Sequence, residues 1–408
     1  MTRTVMSKPS TSNSSCCSKL FQPIRVGRLC LQHRIVYPPQ TRYKATRNGH
    51  VPLLPLVKEY YSQRASMPGT LIITEAALVS DKAGGKTHLP GIWNESQIKA
   101  WKVVADEIHA KGCMVFMQIW GLGRAAEYED PGLEDDSAPF EYVSASDVQL
   151  PGLKPPRPLT ISEIQEYITD FGKAAANAVH GAGFDGVELH AANGYLLDQF
   201  IQDVTNKRTD EFGGSVEARC RFVLEVMREV CKAVGQDRAS LRLSPWSLFQ
   251  NMRMTDPVPT FSYLVTKLKE EFPNLAYLHL VEPQINGSRT QHLDNIVSTD
   301  SNDFLRDIWR PRPFISAGGY TRATAMQIAD EKGDLIAFGR YFISNPDLPF
   351  RIKHDLPLVP YDRDTFYIRG DTSGRGYIDY PFYTSNDSDA LEGLLNSEEA
   401  LKRLVNDV

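Results

Sequence analysis

The chain has 408 residues, 42% hydrophobic and 23% charged, the balance of an ordinary globular protein. Its formal charge of −5 leaves no basic surface for nucleic acid. No apolar run reaches the ~18 residues that cross a bilayer, so neither nucleic acid nor membrane is expected as a partner.

The N-terminal stretch MTRTVMSKPSTSNSSCCSKL has no apolar centre and is not a secretory signal. Its Ser and Thr content reads as a disordered leader over residues 1–19, with arginine too sparse to favour a transit peptide. A cytoplasmic protein, monomeric or homodimeric, is expected. Eight short apolar runs follow: RIVYPP (34–39), TLIITEA (70–76), CMVFMQIW (113–120), GVELHAA (186–192), SLRLSP (240–245), AYLHLVE (276–282), PFISAGG (313–319) and LIAFGR (335–340). Apolar at nearly every position, they suit parallel strands buried on both faces.

Amphipathic helices fill the gaps. QIKAWKVVADEIHAKG is one and SVEARCRFVLEVMREVCKAVG another. TISEIQEYITDFGKAAANAVHGAG opens with Thr160 and Glu163 in capping-box spacing. It repeats apolar residues at Ile164, Tyr167, Ile168, Phe171, Ala175 and Ala178, then stops at Gly181 and Gly183. Eight strands alternating with helices predict an α/β fold, a (β/α)8 TIM barrel; a doubly wound sheet usually has fewer strands. The connection after the third strand, 121 to about 159, is long enough to cover an active site. An aromatic, polar extension from about 355 is expected to pack over the barrel mouth, within a single domain spanning 20–385 and followed by a tail over 386–408. The cysteines, Cys16, Cys17, Cys30, Cys113, Cys220 and Cys231, show no CxxC spacing. They read as reduced thiols rather than a disulfide framework or zinc site.

In such barrels the active site lies at the C-terminal ends of the strands. Those ends carry Pro39, Gln40, Thr41 and Arg42, then Thr74 and Glu75, Gln118 and Trp120, His190 and Asn193, Arg242, Glu282, Gly318 and Gly319, and Gly339 and Arg340. The glycines of strands seven and eight, with Arg340, suit a phosphate. Gln118 suits an amide or imide edge and Arg242 a negative charge. A flavin mononucleotide has these features, though other phosphorylated ligands share them. A zinc hydrolase would want a His-x-His pair that the first strand lacks. A Schiff-base aldolase needs a lysine at a strand end, and none stands there. A glycosidase would need two converging carboxylates, for which Glu75 and Glu282 are the candidates. On their own, a histidine closing a buried strand and an Asn-Gly pair are more often structural.

The segments RIVYPPQTRYKA, GTLIITEAALVS, LPGIWNESQIKAWKVVADEIHAKG, MQIWGLGRAA, GFDGVELHAANGYLLDQFIQDVTNKRTDEFGGS, LRLSPW, SAGGYTRATA, AFGRYFISNPDLPFR and GYIDYP together resemble the Old Yellow Enzyme family of flavin-dependent ene-reductases, over about residues 20–385. The resemblance implies a barrel holding FMN, with NADPH or NADH as reductant and an enone or enal as substrate. It assigns Pro39, Thr41, Ala76, Gln118, Arg242, Gly318, Gly319, Gly339 and Arg340 to the cofactor. His190 and Asn193 are implied to hold the substrate carbonyl, with Trp120 and Tyr367 shaping the pocket. Hydride would pass from flavin to the β-carbon and a proton from Tyr195 to the α-carbon. Two donors aimed at the carbonyl oxygen would stabilise the enolate charge, and a phenol can act as general acid. Two other readings stand beside this one: a redox-neutral flavin-dependent double-bond isomerase of a biosynthetic pathway, and a flavin-free barrel binding a phosphorylated ligand. Arg124 is expected to be a structural ion-pair partner. The chain departs from the family pattern at His33, at Tyr37 to Gln40, at Ala76 and at Ala218.

Overall fold

The computed structural model describes residues 18–127, 140–287, 289–291, 297 and 299–384. Most of the expected leader and all of the expected tail from 386 lie outside the described residues. The two described leader residues are fastened down. Ser18 Oγ donates to Asp330 Oδ1 at 2.9 Å, and the Lys19 backbone N–H donates to the same oxygen at 2.6 Å.

The apolar runs become strands that are covered on both sides. In chain order they are β1 (Ile35–Tyr37), β2 (Leu71–Leu78), β3 (Met114–Trp120), β4 (Gly186–Ala191), β5 (Ala239–Leu243), β6 (Tyr277–Val281), β7 (Phe314–Ala317) and β8 (Leu335–Ala337). Each pairs in parallel with the next, and β8 returns to β1, closing the barrel. The period of two is visible in the packing. Val36, Leu71, Ile73 and Phe116 point into the barrel, while Ile35, Ile72, Val115 and Met117 face the helices. Burying each such side chain contributes roughly 1.5–3 kcal/mol. A hairpin, Ile24–Val26 with Leu29–Leu31, closes the N-terminal end, adding Val26 and Leu31 to the inner cluster.

Helices α1 (Leu56–Arg64), α2 (Glu95–Ala110), α3 (Ile161–Ala176), α4 (Leu196–Ile201) and α5 (Val216–Val234) lie in the first half of the barrel. The predicted capping box at α3 is formed: the Thr160 N–H donates to Glu163 Oε2 at 2.7 Å, and the Glu163 N–H returns a bond to Thr160 Oγ at 3.3 Å. Such a cap contributes about 1 kcal/mol. The chain runs on from α3 through a π-helical turn, Asn177–Gly181. The stripe of apolar residues from Ile164 to Ala178 is buried. Among the described residues, no helix is long and apolar enough to cross a membrane.

Two excursions cover the C-terminal mouth. After β3 the chain makes a short 3-10 turn, Gly123–Ala125, and a small strand pair, Val143–Ser144 with Arg157–Pro158. The C-terminal extension is clamped by cations from the segment after β1. Arg42 donates to the carbonyls of Phe366 and Gly376 at 3.1 and 2.7 Å, and Lys44 to that of Ile368 at 3.0 Å. Arg64 of α1 donates to the carbonyl of Tyr377 at 3.0 Å. Charge-assisted bonds of this kind are stronger than neutral ones. They fix the segment carrying Tyr367 over the barrel.

Candidate active site

The C-terminal ends of the strands open into a cavity of about 700 Å3. At one end lie Gly318, Gly319, Gly339 and Arg340. Gly319 has φ +63, and a Cβ at Gly318 would stand 2.5 Å from the Cβ of Glu282. Both positions therefore favour glycine. The Arg340 guanidinium bonds Thr290 Oγ and lies 5.4 Å from the centre of the Tyr361 ring. Gln40 donates from Nε2 to the Gly339 carbonyl at 3.0 Å, tying the end of β1 to that of β8. Pro39 and Thr41 line the same wall.

The floor is polar because four neighbouring strands turn polar side chains inward at matched register. Gln118 pairs with Glu188, His190 with Arg242, and Arg242 with His279. Gln118 Nε2 donates to Glu188 Oε1 at 2.7 Å, and His279 Nδ1 stands 2.8 Å from Glu188 Oε2. The Gln118 amide is thereby held in one orientation. Burial lowers the pKa of Arg242, opposed by the charge of Glu188, and Arg242 Nε is buried with no partner among the described residues.

Above the floor, β4 ends in a sharp turn. Asn193 and Gly194 both take positive φ, +57 and +76, conformations that Asn and Gly adopt at least cost. A Cβ at Gly194 would come within 2.8 Å of Met252 Cγ. Two bonds hold the turn: the Asn193 N–H donates to Ser244 Oγ at 2.7 Å, and the Gly194 N–H to Asp198 Oδ2 at 2.8 Å. Burial pushes the Asp198 carboxyl up to about 7. The turn delivers Tyr195 to the start of α4 and back over the strand. Trp120 stacks on His190, with ring centres 5.6 Å apart and planes 20° from parallel. The Tyr195 ring lies 4.5 Å from Trp120 and 5.0 Å from His190. His190 Nδ1 and Asn193 Oδ1 are buried with no partner among the described residues. Burial, and then the charges of Arg242 and His279, hold the His190 pKa well below the ordinary histidine value. The imidazole is therefore neutral at neutral pH.

The structure thus brings Gln118, Trp120, His190, Asn193, Tyr195 and Arg242 to one cavity, with Tyr367 reaching it from the C-terminal extension. Ala76 stands apart. It does not line the cavity but packs with Leu78, Leu89 and Trp120. The reason is a register shift of β2 against β3 between Thr74 and Ala77, which interrupts the alternation of faces. Arg124, expected in an ion pair, instead donates to the carbonyls of Val148 and Gln250 at 3.0 and 2.7 Å. Glu75 and Glu282 do not converge: Glu75 Oε2 accepts from the Arg42 N–H, and Glu282 from Ser316 Oγ and Arg306.

Several residues in and beneath the cavity wall were not anticipated. Glu188 and His279 were legible in part, since Glu188 shares the face of His190 two residues on, and His279 sits mid-strand in an apolar run. Tyr43 and Lys86 reach the cavity from loops, where no periodicity points to them. Lys86 matters to the lysine criterion, since no strand ends in lysine yet one lines the cavity. Its pKa is raised, so it is a cation and not a free amine.

The donor set fits FMN. Glycine backbone and a guanidinium stand at one end of the cavity. A fixed amide, and a buried guanidinium with an unpartnered Nε, lie along the floor. The family description NADH:flavin oxidoreductase / NADH oxidase matches residues 19–359. A chanoclavine-I aldehyde reductase of Penicillium roqueforti is 50% identical, across 90% of this chain and 96% of that protein. A Claviceps fusiformis protein named "probable inactive dehydrogenase easA" is 46% identical, across 90% and 95%. Among solved structures, Old Yellow Enzyme from Pichia sp. AKU4542 is 36% identical with a TM-score of 0.81, covering 90% of this chain and 94% of that one.

Proposed function

Because this chain belongs to the NADH:flavin oxidoreductase / NADH oxidase family, and is an NAD(P)H-dependent flavin oxidoreductase with FMN as its cofactor, we propose that it reduces the C=C bond of α,β-unsaturated carbonyl compounds. The observation that carries this reading is the joint placement of His190, Asn193 and Tyr195 around one turn on the cavity wall. The aldehyde-reductase name of a relative 50% identical supports an enal as well as an enone.

Gly318, Gly319, Gly339 and Arg340 would hold the FMN phosphate, Gln118 the pyrimidine edge, and Thr41 and Arg242 the ring edge. FMN held by these residues would supply the hydride chemistry, with NAD(P)H as reductant, at the substrate β-carbon. His190, kept neutral by burial and by Arg242, and Asn193 hold the carbonyl oxygen on which negative charge collects. Asn193 is set beforehand by the Ser244 and Asp198 bonds to the turn, and His190 by its place on β4 and its stacking on Trp120, so little reorganisation opposes the reaction. Tyr195 gives its phenolic proton to the α-carbon. Trp120, stacked on His190, and Tyr367 bound the substrate.

The test is turnover of an enone panel with the yellow holoprotein, following nicotinamide oxidation and product together. One NAD(P)H consumed per C=C bond reduced supports the reading. Product formed without nicotinamide oxidation would replace it with isomerisation, and a protein that takes up no FMN would remove flavin chemistry altogether.

A further inference from the structure

The outer wall of the cavity carries a cation that the reaction scheme leaves unused. Lys86, on the loop after β2, lines the cavity together with Tyr195, and its side chain is only 14% exposed. Three chain segments converge to hold it. Lys86 Nζ lies 3.2 Å from Glu127 Oε1, and Glu127 also pairs with Arg369 of the C-terminal extension. The Glu127 N–H donates to the Gly85 carbonyl at 2.7 Å, so the acid is tied to the residue beside Lys86. At Gly85, φ is +108 and a Cβ would stand 2.6 Å from that of Ala126; a side chain there would separate the two loops. Arg369 completes the cluster, 5.0 Å from the centre of the Tyr43 ring, which in turn lies 6.3 Å from that of Tyr367.

Tyr195, Lys86, Tyr43 and Tyr367 thus line the same cavity, with Glu127 and Arg369 paired behind the lysine. Burial raises the pKa of the Tyr195 phenol, and Tyr43 and Tyr367 raise it further; the charge of Lys86 is the largest opposing influence, with a hydrogen bond to Gln250 adding to it. Burial also works against the ammonium, but Tyr195, Tyr43 and Glu127 outweigh it and keep Lys86 charged.

We propose that Lys86 is a positioning residue for proton transfer: its ammonium stabilises the phenolate left on Tyr195 when the phenolic proton passes to the substrate α-carbon. The inference rests on Tyr195 being the proton donor. In the step, the enolate π pair forms the new C–H bond and the carbonyl is restored. The O–H bond of Tyr195 breaks, its electron pair stays on the phenolate oxygen, and a solvent proton later restores the phenol. A phenolate in a buried site beside two other phenols is unfavourable without a compensating cation, and Lys86 is placed to provide one.

The test uses holoenzyme with tyrosine 13C-labelled at Cζ, the Tyr195 resonance being assigned with Tyr195→Phe. In Lys86→Met the Tyr195 phenol titrates at higher pH than in the parent, and in Glu127→Gln, which leaves the lysine charge less compensated, at lower pH. Oxidation of the reduced Lys86→Met enzyme by 2-cyclohexenone slows about tenfold, while its reduction by NADPH stays within about twofold. Lys86→Arg restores both the titration and the rate. General damage to the fold would not move two variants in opposite directions. If Tyr195→Phe is slow but Lys86→Met changes neither titration nor rate, the role of Lys86 is overturned and the proton donor stands. If Tyr195→Phe is as fast as the parent, the donor reading itself fails.

Discussion

His190 and Arg242 are register partners on neighbouring strands. Burial first, and then the guanidinium and His279, hold the imidazole pKa well below the ordinary histidine value. A neutral imidazole can donate a hydrogen bond to a carbonyl without changing its charge in the working pH range. The oxidation of reduced enzyme by an enone is therefore expected to show no histidine step between about pH 6 and 8, a range that spans the ordinary value of ~6.5. A step near that value, abolished by substituting His190, would contradict the neutral assignment. The same shift acts on stability below ~6.5, where the unfolded chain takes up a proton that the folded one resists; stability falls as the pH drops.

Removing either half of the proposed carbonyl clamp should slow substrate reduction strongly. His190→Ala deletes one donor. Asn193→Asp deletes the amide donor yet keeps a residue that tolerates the positive φ of +57. Each is expected to lower the rate of enone reduction about 100- to 1000-fold, as loss of a preorganised donor does in comparable sites. Single-turnover oxidation of the reduced enzymes measures this directly. A loss of only twofold in both would show that the carbonyl is held elsewhere.

Arg340 separates the phosphate contribution from the rest of cofactor binding. Arg340→Ala should weaken FMN binding about tenfold or more, since a hydrogen bond to a charged group typically contributes ~1.5–3 kcal/mol. Riboflavin, which lacks the phosphate, should bind parent and variant alike. Titration of apoprotein with the two flavins, followed by fluorescence quenching, checks both. Equal weakening for the two would mean that Arg340 acts on the shape of the cavity instead.

Glu75 is fully buried, and burial pushes its carboxyl from 4.5 to about 7, against the opposing bond and charge of Arg42. The folded chain thus keeps a proton that the unfolded chain releases between these values. The stability contributed is full below ~4.5 and is lost as the pH rises through about 7. Glu75→Gln keeps the acceptor oxygen for the Arg42 N–H and removes the titration. It should be the more stable protein at pH 8 by on the order of 1–3 kcal/mol, with a flatter stability profile between pH 5 and 8. Urea unfolding at several pH values reads this out. A profile unchanged by the substitution would contradict it.

The barrel was legible because its strands are apolar on both faces, and all eight predicted runs, from RIVYPP to LIAFGR, became barrel strands. The α3 boundary was legible for a local reason, the Thr160–Glu163 capping box. The gathering of His190, Asn193 and Tyr195 with Gln118 and Arg242 could be expected once strand ends were taken as the site, because parallel register carries them to one level. Ala76 escaped because a bulge is a property of strand pairing and leaves no mark on one strand alone. Lys86, Tyr43 and Glu127 escaped because loops carry no period. What brings them together is contact between loops and the C-terminal extension, across 242 positions at the Arg369–Glu127 pair and more at Arg369 and Tyr43.

In the proposed reaction Tyr195 is the proton donor to a substrate whose carbonyl is held by His190 and Asn193. The most direct measurement is stopped-flow analysis of the two half-reactions in Tyr195→Phe. Reduction of the enzyme by NADPH should stay within about twofold of the parent, while oxidation of the reduced enzyme by an enone should slow about 100-fold or more. Equal losses in both half-reactions, or none in the second, would contradict it.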